Sequence, residues 1–204
     1  MATRKYQQRL RAESAENTRR RILEAVYERL RDTPTQPLSL DRVAEQARVS
    51  RSTVYTVFGS RTGLFDAFAD DLWARSGLPE LADAVAHPDV RQHLRGGIAA
   101  SARMYAAECD VFRVLFSMAR LDPRSVGGTV DRMSRDRAGG MEHLARRLAD
   151  DSVLRSDTSV GDATHLLWVI TSFESFDLLY TTRDLSIDHT IDLLVSIAER
   201  SLCG

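Results

Sequence analysis

The chain has 204 residues, of which 43% are hydrophobic and 28% charged, the balance of a soluble globular protein rather than a disordered or membrane one. No apolar run approaches the roughly 20 residues of a membrane span, and no apolar signal core follows the basic N-terminus, so the expected compartment is cytoplasmic, with no membrane partner. The formal net charge of −1 hides an asymmetry: residues 1–61 carry 13 Arg/Lys against 7 Asp/Glu, and residues 62–204 carry 15 against 22, which points one end of the molecule at a polyanion.

Almost every segment reads as helix, punctuated by prolines that lack a donor and clash with the preceding turn. Residues 1–13 are polar and basic and read as a flexible arm. A first helix over about Ser14–Arg31 places Ile22, Leu23, Val26, Tyr27 and Leu30 on one face, and the stretch Asp32 to Pro37 ends it. Ser39 is a suitable N-cap for a second helix, with Leu38 and Val43 spaced as a hydrophobic staple. After the turn Ala47-Arg48-Val49, Ser50 caps a third helix, and Val49 with Val54 repeats the staple. Two capped helices across so short a turn make a helix-turn-helix. A fourth helix spans Arg61–Ser76 and is broken by Gly77 and Pro79. Further helices are expected near 89–107, 110–120, 129–150, 159–182 and 187–202. Arg124–Gly128 reads as a loop, and Gly139-Gly140 weakens the helical pattern beside it. Asp89, Asp110 and Asp188 fall at helix starts, where a carboxylate meets the positive end of the dipole. The domains expected are the arm at 1–13, a helix-turn-helix domain at 14–60 and a helical domain at 61–204.

The third helix carries the chemistry. Val54, Val57 and Phe58 can face the core, which leaves Arg51, Ser52, Thr53, Tyr55 and Thr56 for the outer side. Ser52 is small enough for a close backbone approach to DNA. Arg51 can reach guanine edges or phosphates, Thr53 and Thr56 phosphates or a thymine methyl, and the Tyr55 hydroxyl a phosphate. The helix start offers free amides to phosphate, so Ser39, Arg48 and Ser50, at the helix starts and the turn, belong to the same DNA-facing set.

From about Thr18 to Leu72 the sequence resembles the DNA-binding head of the tetracycline-repressor (TetR) family. The resemblance rests on the apolar first helix, Val43-Ala44 in the second, then Val49-Ser50-Arg51-Ser52-Thr53-Val54-Tyr55, Phe58, the basic Arg61 and Leu64-Phe65. It implies an all-α fold, a three-helix head before a helical ligand-binding and dimerisation body, and phosphate contacts from Thr18, Arg19 and Arg61. Two positions depart from the family pattern. Arg48 stands where glycine is usual in the turn, and Val57 where a histidine or tyrosine would donate to phosphate.

The body shows no catalytic constellation. Its five histidines are scattered, and no HExxH, phosphate loop or nucleophile elbow appears; no enzyme activity, metal or cofactor is expected. Cys109 and Cys203 lack metal or CxxC spacing and read as incidental thiols or as a redox sensor. Aromatic and methionine side chains are dense. Met104, Phe112, Phe116, Met133, Trp168, Phe173 and Phe176, with Asp177 inside the stripe, are the candidate effector-binding residues. Leu178, Leu179, Ile191, Leu194, Val195 and Ala198 offer apolar surface for a homodimer built from the last two helices. The expected function is a repressor that leaves a near-palindromic double-stranded operator when a small, largely apolar effector binds the body. The alternative is a DNA-binding interaction protein of the same fold with a protein partner and no inducer.

Overall fold

The structure, a computed structural model, describes residues 2–34, 36 and 38–204; Pro37, placed by its sequence in the linker after the first helix, lies outside them. Regular structure among the described residues is helical, apart from an isolated antiparallel bridge between Leu154 and Cys203. The helices are α1 Ala2–Asp32, α2 Leu40–Gln46, α3 Arg51–Phe58, α4 Arg61–Ser76, α5 Leu78–Val85, α6 Val90–Ala107, α7 Cys109–Leu121, α8 Pro123–Asp150, α9 Val160–Ile170, α10 Phe173–Asp177 and α11 Ile187–Leu202, with a π-helical turn at Leu178–Thr182 before α11. None is long and apolar enough to cross a membrane.

The chain divides into two compact units, Met1–Leu72 with Arg113–Val130, and Trp73–Phe112 with Asp131–Gly204. The first therefore extends past residue 60 and takes in part of α7 and the start of α8. Its N-terminal core is built where the 3.6-residue period placed it: Ile22, Leu23, Val26 and Leu30 of α1, Val43 and Ala44 of α2, Val54 of α3, and Leu64, Phe65 and Phe68 of α4 are all buried. At roughly 1.5–3 kcal/mol for each large side chain removed from water, this burial holds the short α2 and α3, which would not persist alone.

Four stretches differ from the reading of the sequence. Residues 2–13 continue α1 rather than forming an arm apart from it; alanine, arginine, glutamine and glutamate are good helix formers. Pro79 does not end helical structure but sits in the first turn of α5, as Pro123 does in α8, where a missing N–H costs nothing. Residues 124–128 accordingly lie within α8. The stretch 159–182 is not one helix. At its middle the Thr171 hydroxyl donates to the Leu167 carbonyl (2.8 Å), the Ser172 hydroxyl donates to the Val169 carbonyl (2.9 Å), and Ser172 Oγ accepts from the Ser175 amide (3.1 Å). Hydroxyls three and four residues from a carbonyl compete with the backbone ladder, and here they close one helix and cap the next.

An apolar core of the second unit is made by Val90, Leu94 and Ile98 of α6, Leu144, Ala145 and Leu148 of α8, Ala163, Leu167 and Ile170 of α9, and Leu194, Ala198 and Leu202 of α11. This placement corrects the expectation that Ile191, Leu194 and Ala198 face a second subunit. They are 7%, 4% and 0% exposed and are consumed by packing within the chain.

Candidate nucleic-acid interface

The turn between α2 and α3 is held by a specific backbone pattern. The Val49 amide donates to the Ala44 carbonyl (2.9 Å) and the Arg48 amide to that of Glu45 (3.0 Å), the Schellman arrangement that satisfies the last carbonyls of a helix. It requires a left-handed residue between them, and Arg48 takes φ 52°. Glycine, usual in the resembling family, would take that conformation without strain. The turn is also fastened to α1. Arg21 Nη2 donates to the Ala47 carbonyl and to the Arg48 carbonyl (3.3 Å), and Gln46 Nε2 donates to Glu28 Oε2 (2.5 Å). No spacing in the sequence signals the Arg21 clamp, because its partners lie more than twenty residues away.

Ser50 caps α3, its Oγ accepting from the Thr53 amide at 3.1 Å. Its oxygen also lies 2.7 Å from Ser52 Oγ and 2.8 Å from Thr53 Oγ1, so three hydroxyls gather at the helix start. Ser39 occupies the N-cap position of α2 in extended conformation, but its side chain makes no capping bond. Along α3, Val54 is buried, whereas Arg51, Ser52, Tyr55 and Thr56 are exposed and Thr53 is half-buried. The Arg51 guanidinium pairs with Asp41 of α2 at 3.0 Å and lies 5.8 Å from the centre of the Tyr55 ring. Thr56 Oγ1 donates to the Ser52 carbonyl (2.9 Å). Val57 is half-buried beside Phe58 and presents no donor.

The three residues singled out by resemblance have structural partners too. Thr18 Oγ1 donates to the Ser14 carbonyl (2.9 Å), and Arg19 lies over the Phe58 ring at 5.5 Å. Arg61 Nη1 donates to the Leu38 carbonyl (2.8 Å), its guanidinium lies 5.3 Å from the Phe65 ring centre, and its Nε is buried without a hydrogen-bond partner. Arg61 thus ties the linker before α2 to the start of α4. Exposed arginine, hydroxyl and phenol groups on a short helix with a buried frame make a surface chemically suited to phosphates and base edges.

Such a head, carried on a helical chain, defines the fold of a helix-turn-helix transcriptional regulator. Residues 22–68 match the family of bacterial regulatory proteins, tetR family, so the head is of TetR type. The whole chain has the fold of solved TetR-type regulators. It is similar to NalD, the secondary repressor of the MexAB-OprM multidrug efflux pump in Pseudomonas aeruginosa, at TM-score 0.70 and 20% identity, covering 94% of this chain and 98% of that one. A TetR-like transcriptional regulator from Rhodococcus sp. gives TM-score 0.64 at 21% identity over 90% and 94% of the two chains. SmeT in complex with triclosan gives 0.70 at 16% identity over 92% of each. A sequence comparison with curated proteins returned no match.

Of the candidate effector residues Phe116 falls in the first unit, and those in the second fall into separate groups. Phe112, Phe173 and Phe176 come together with Tyr105, which meets Phe112 and Phe173 edge-on at 5.5 and 5.4 Å and lies 5.8 Å from Phe176. Trp73 joins the cluster at 5.1 Å from Phe112, and Tyr180 stacks on Phe176 at 5.0 Å. Trp73 lies outside the group of aromatic residues that the sequence offered for such a site. Burial pushes the Tyr105 hydroxyl up to about 12, so it remains a neutral donor. Met104 is buried nearby in sequence, and Met133 and Phe116 are half-buried. Trp168 instead lies under the Arg137 guanidinium, 3.5 Å from its ring centre. Arg137 Nη1 donates to the Trp168 carbonyl (2.7 Å) and to Thr171 Oγ1 (3.1 Å), closing the C-terminal end of α9, where a cation meets the negative end of the dipole. Asp177 is half-buried and accepts from Cys109 Sγ at 3.6 Å. Burial raises the Cys203 thiol above its ordinary value, which suppresses the thiolate that oxidation requires.

Proposed function

We propose that this chain is a cytoplasmic DNA-binding transcriptional regulator, a homodimeric repressor that leaves its operator when a small, largely apolar molecule binds the helical body. The observation that carries the reading is the α3 surface: Arg51, Ser52, Tyr55 and Thr56 exposed on a helix whose opposite side is locked into the head. Each subunit reads one half-site with α3, and Thr18, Arg19, Ser39, Arg48, Ser50, Thr53 and Arg61 supply surrounding phosphate contacts. Two heads must stand about one DNA turn apart, roughly 34–36 Å. A ligand with unequal affinity for two head spacings therefore controls binding without touching α3. The aromatic cluster around Tyr105 and Phe173 is the part of the body whose chemistry suits an apolar effector. Its place in this chain is argued by analogy with SmeT, whose solved complex contains triclosan.

Selection of bound duplexes from random DNA tests the reading. A shared near-palindromic sequence is expected, bound with an affinity that falls steeply with salt as counterions are released. Recovery of unrelated sequences would overturn it. Release of the selected operator by apolar aromatic compounds, screened first for thermal stabilisation of the protein, tests the effector site.

A further inference from the structure

We propose that the first four turns of α1 form a second DNA-binding element, one that lies along the phosphates flanking the operator and reads no sequence. The proposal rests on the reading of α3 as the operator-binding helix. Three observations carry it. The first is charge: residues 2–17 carry four cations (Arg4, Lys5, Arg9, Arg11) against two acids (Glu13, Glu16), and Arg19, Arg20 and Arg21 follow directly.

The second is exposure. The core of the head begins at Ile22, and residues 6–17 are exposed on every side. At 1.5 Å per residue, residues 2–17 extend the helix by about 24 Å, the length of about seven base pairs at 3.4 Å each. A helix this short gains little by itself in water and here covers no apolar core.

The third is register. Gln8, Arg11, Ala15 and Thr18 recur at three- and four-residue spacing and lead directly into Ile22 and Val26, the fully buried line of α1. Upstream of Ile22 that same line leaves the head beside the end of α3, where Arg19 lies over Phe58. The buried line of the head thus runs on toward the N-terminus as a polar stripe whose cation is Arg11. Arg9 falls about 160° round the helix from Arg11 and is paired with Glu13 at 2.9 Å. It carries the same charge but sits on the other side.

The test uses the full chain with duplexes recovered by selection. Each is prepared as the protected core alone and with ten base pairs of scrambled sequence on each side. The flanked duplex should bind the wild type about tenfold more tightly than the core. Arg11→Ala should lose about three- to tenfold on the flanked duplex, lower the slope of log affinity against log salt by about one per subunit bound, and leave the core affinity unchanged. Arg9→Ala should change neither. Equal losses in the two variants, or no dependence on the flanks, would overturn the proposal while leaving α3 as the reading helix. Failure of the wild type to bind any selected core would overturn both. Both side chains are exposed, so neither substitution threatens the fold.

Discussion

At Arg48 a side-chain-bearing residue holds φ 52°, a conformation that costs an L-residue roughly 1–2 kcal/mol. Arg48→Gly should therefore raise the stability of the protein, by about 0.5–1 kcal/mol after the greater freedom of glycine in the unfolded chain is subtracted. Urea unfolding followed by circular dichroism reads the change; a lower midpoint would show that the Arg48 side chain stabilises more than its backbone costs. Arg51 should behave oppositely. Its pair with Asp41 is exposed on both sides and therefore screened by solvent, so Arg51→Ala should leave the unfolding midpoint nearly unchanged. It should cost operator binding about 1–3 kcal/mol at one base position if the guanidinium reaches a guanine edge. Gel shifts on operator and point-mutated operators measure this, and undiminished affinity on all of them would remove Arg51 from the reading surface. The exposed face of α3 was legible in the sequence because burial there follows the helical period. The clamps made by Arg21 and Arg61 on backbone carbonyls were not, because a bond from a long side chain to a distant carbonyl leaves no pattern in residue type.

Among the elements, α2, α3 and α4 were legible because each begins or ends at residues with strong local preferences. The connection from α5 to α6 shows what such preferences omit. There Arg147 of α8 donates from Nη1 to the His87 carbonyl and to His93 Nδ1, both at 3.0 Å, and from Nη2 to the Pro88 carbonyl. His93 is 4% exposed. Burial first, then the charge of Arg147 and the neighbouring His143 and His87, push it down to about 4. The unfolded chain titrates this histidine near 6.5. Between those values the unfolded state binds the proton and the folded state does not, so the contribution is full above pH 6.5 and is lost as pH falls toward 4. At most it amounts to about 3 kcal/mol. His93→Asn keeps an acceptor for Arg147 without a titrating ring. The stability difference between wild type and variant should therefore shift against the wild type from pH 7 to pH 4.5 in thermal unfolding. A difference independent of pH would mean that His93 is protonated in the folded protein or reaches water.

For the assembled molecule, the residues that face a second subunit must be apolar, exposed and unused by the core. The periodicity of the last helices could not separate these two uses, since a helix buried on one side and paired on another shows one broad apolar stripe. Leu194 and Ala198 proved to be core, whereas Leu166 and Val169 on α9, Leu178 in the π-helical turn and Ile197 on α11 are 39%, 58%, 60% and 46% exposed. In the proposed homodimer a two-fold axis would set these four exposed apolar side chains, carried by α9, the π-helical turn and α11, against a second copy. Val169→Asp and Ile197→Asp should each yield a monomer with unchanged helical content, because neither side chain supports the core. Leu194→Asp should unfold the protein instead, since a carboxylate buried in an apolar cluster lacks a compensating partner. Light scattering with circular dichroism distinguishes the two outcomes. If both exposed-site variants remain dimers of wild-type mass, the subunits meet elsewhere and the proposed two-headed repressor needs a different axis. If they become monomers, operator affinity should fall sharply as well, because each head alone binds one half-site.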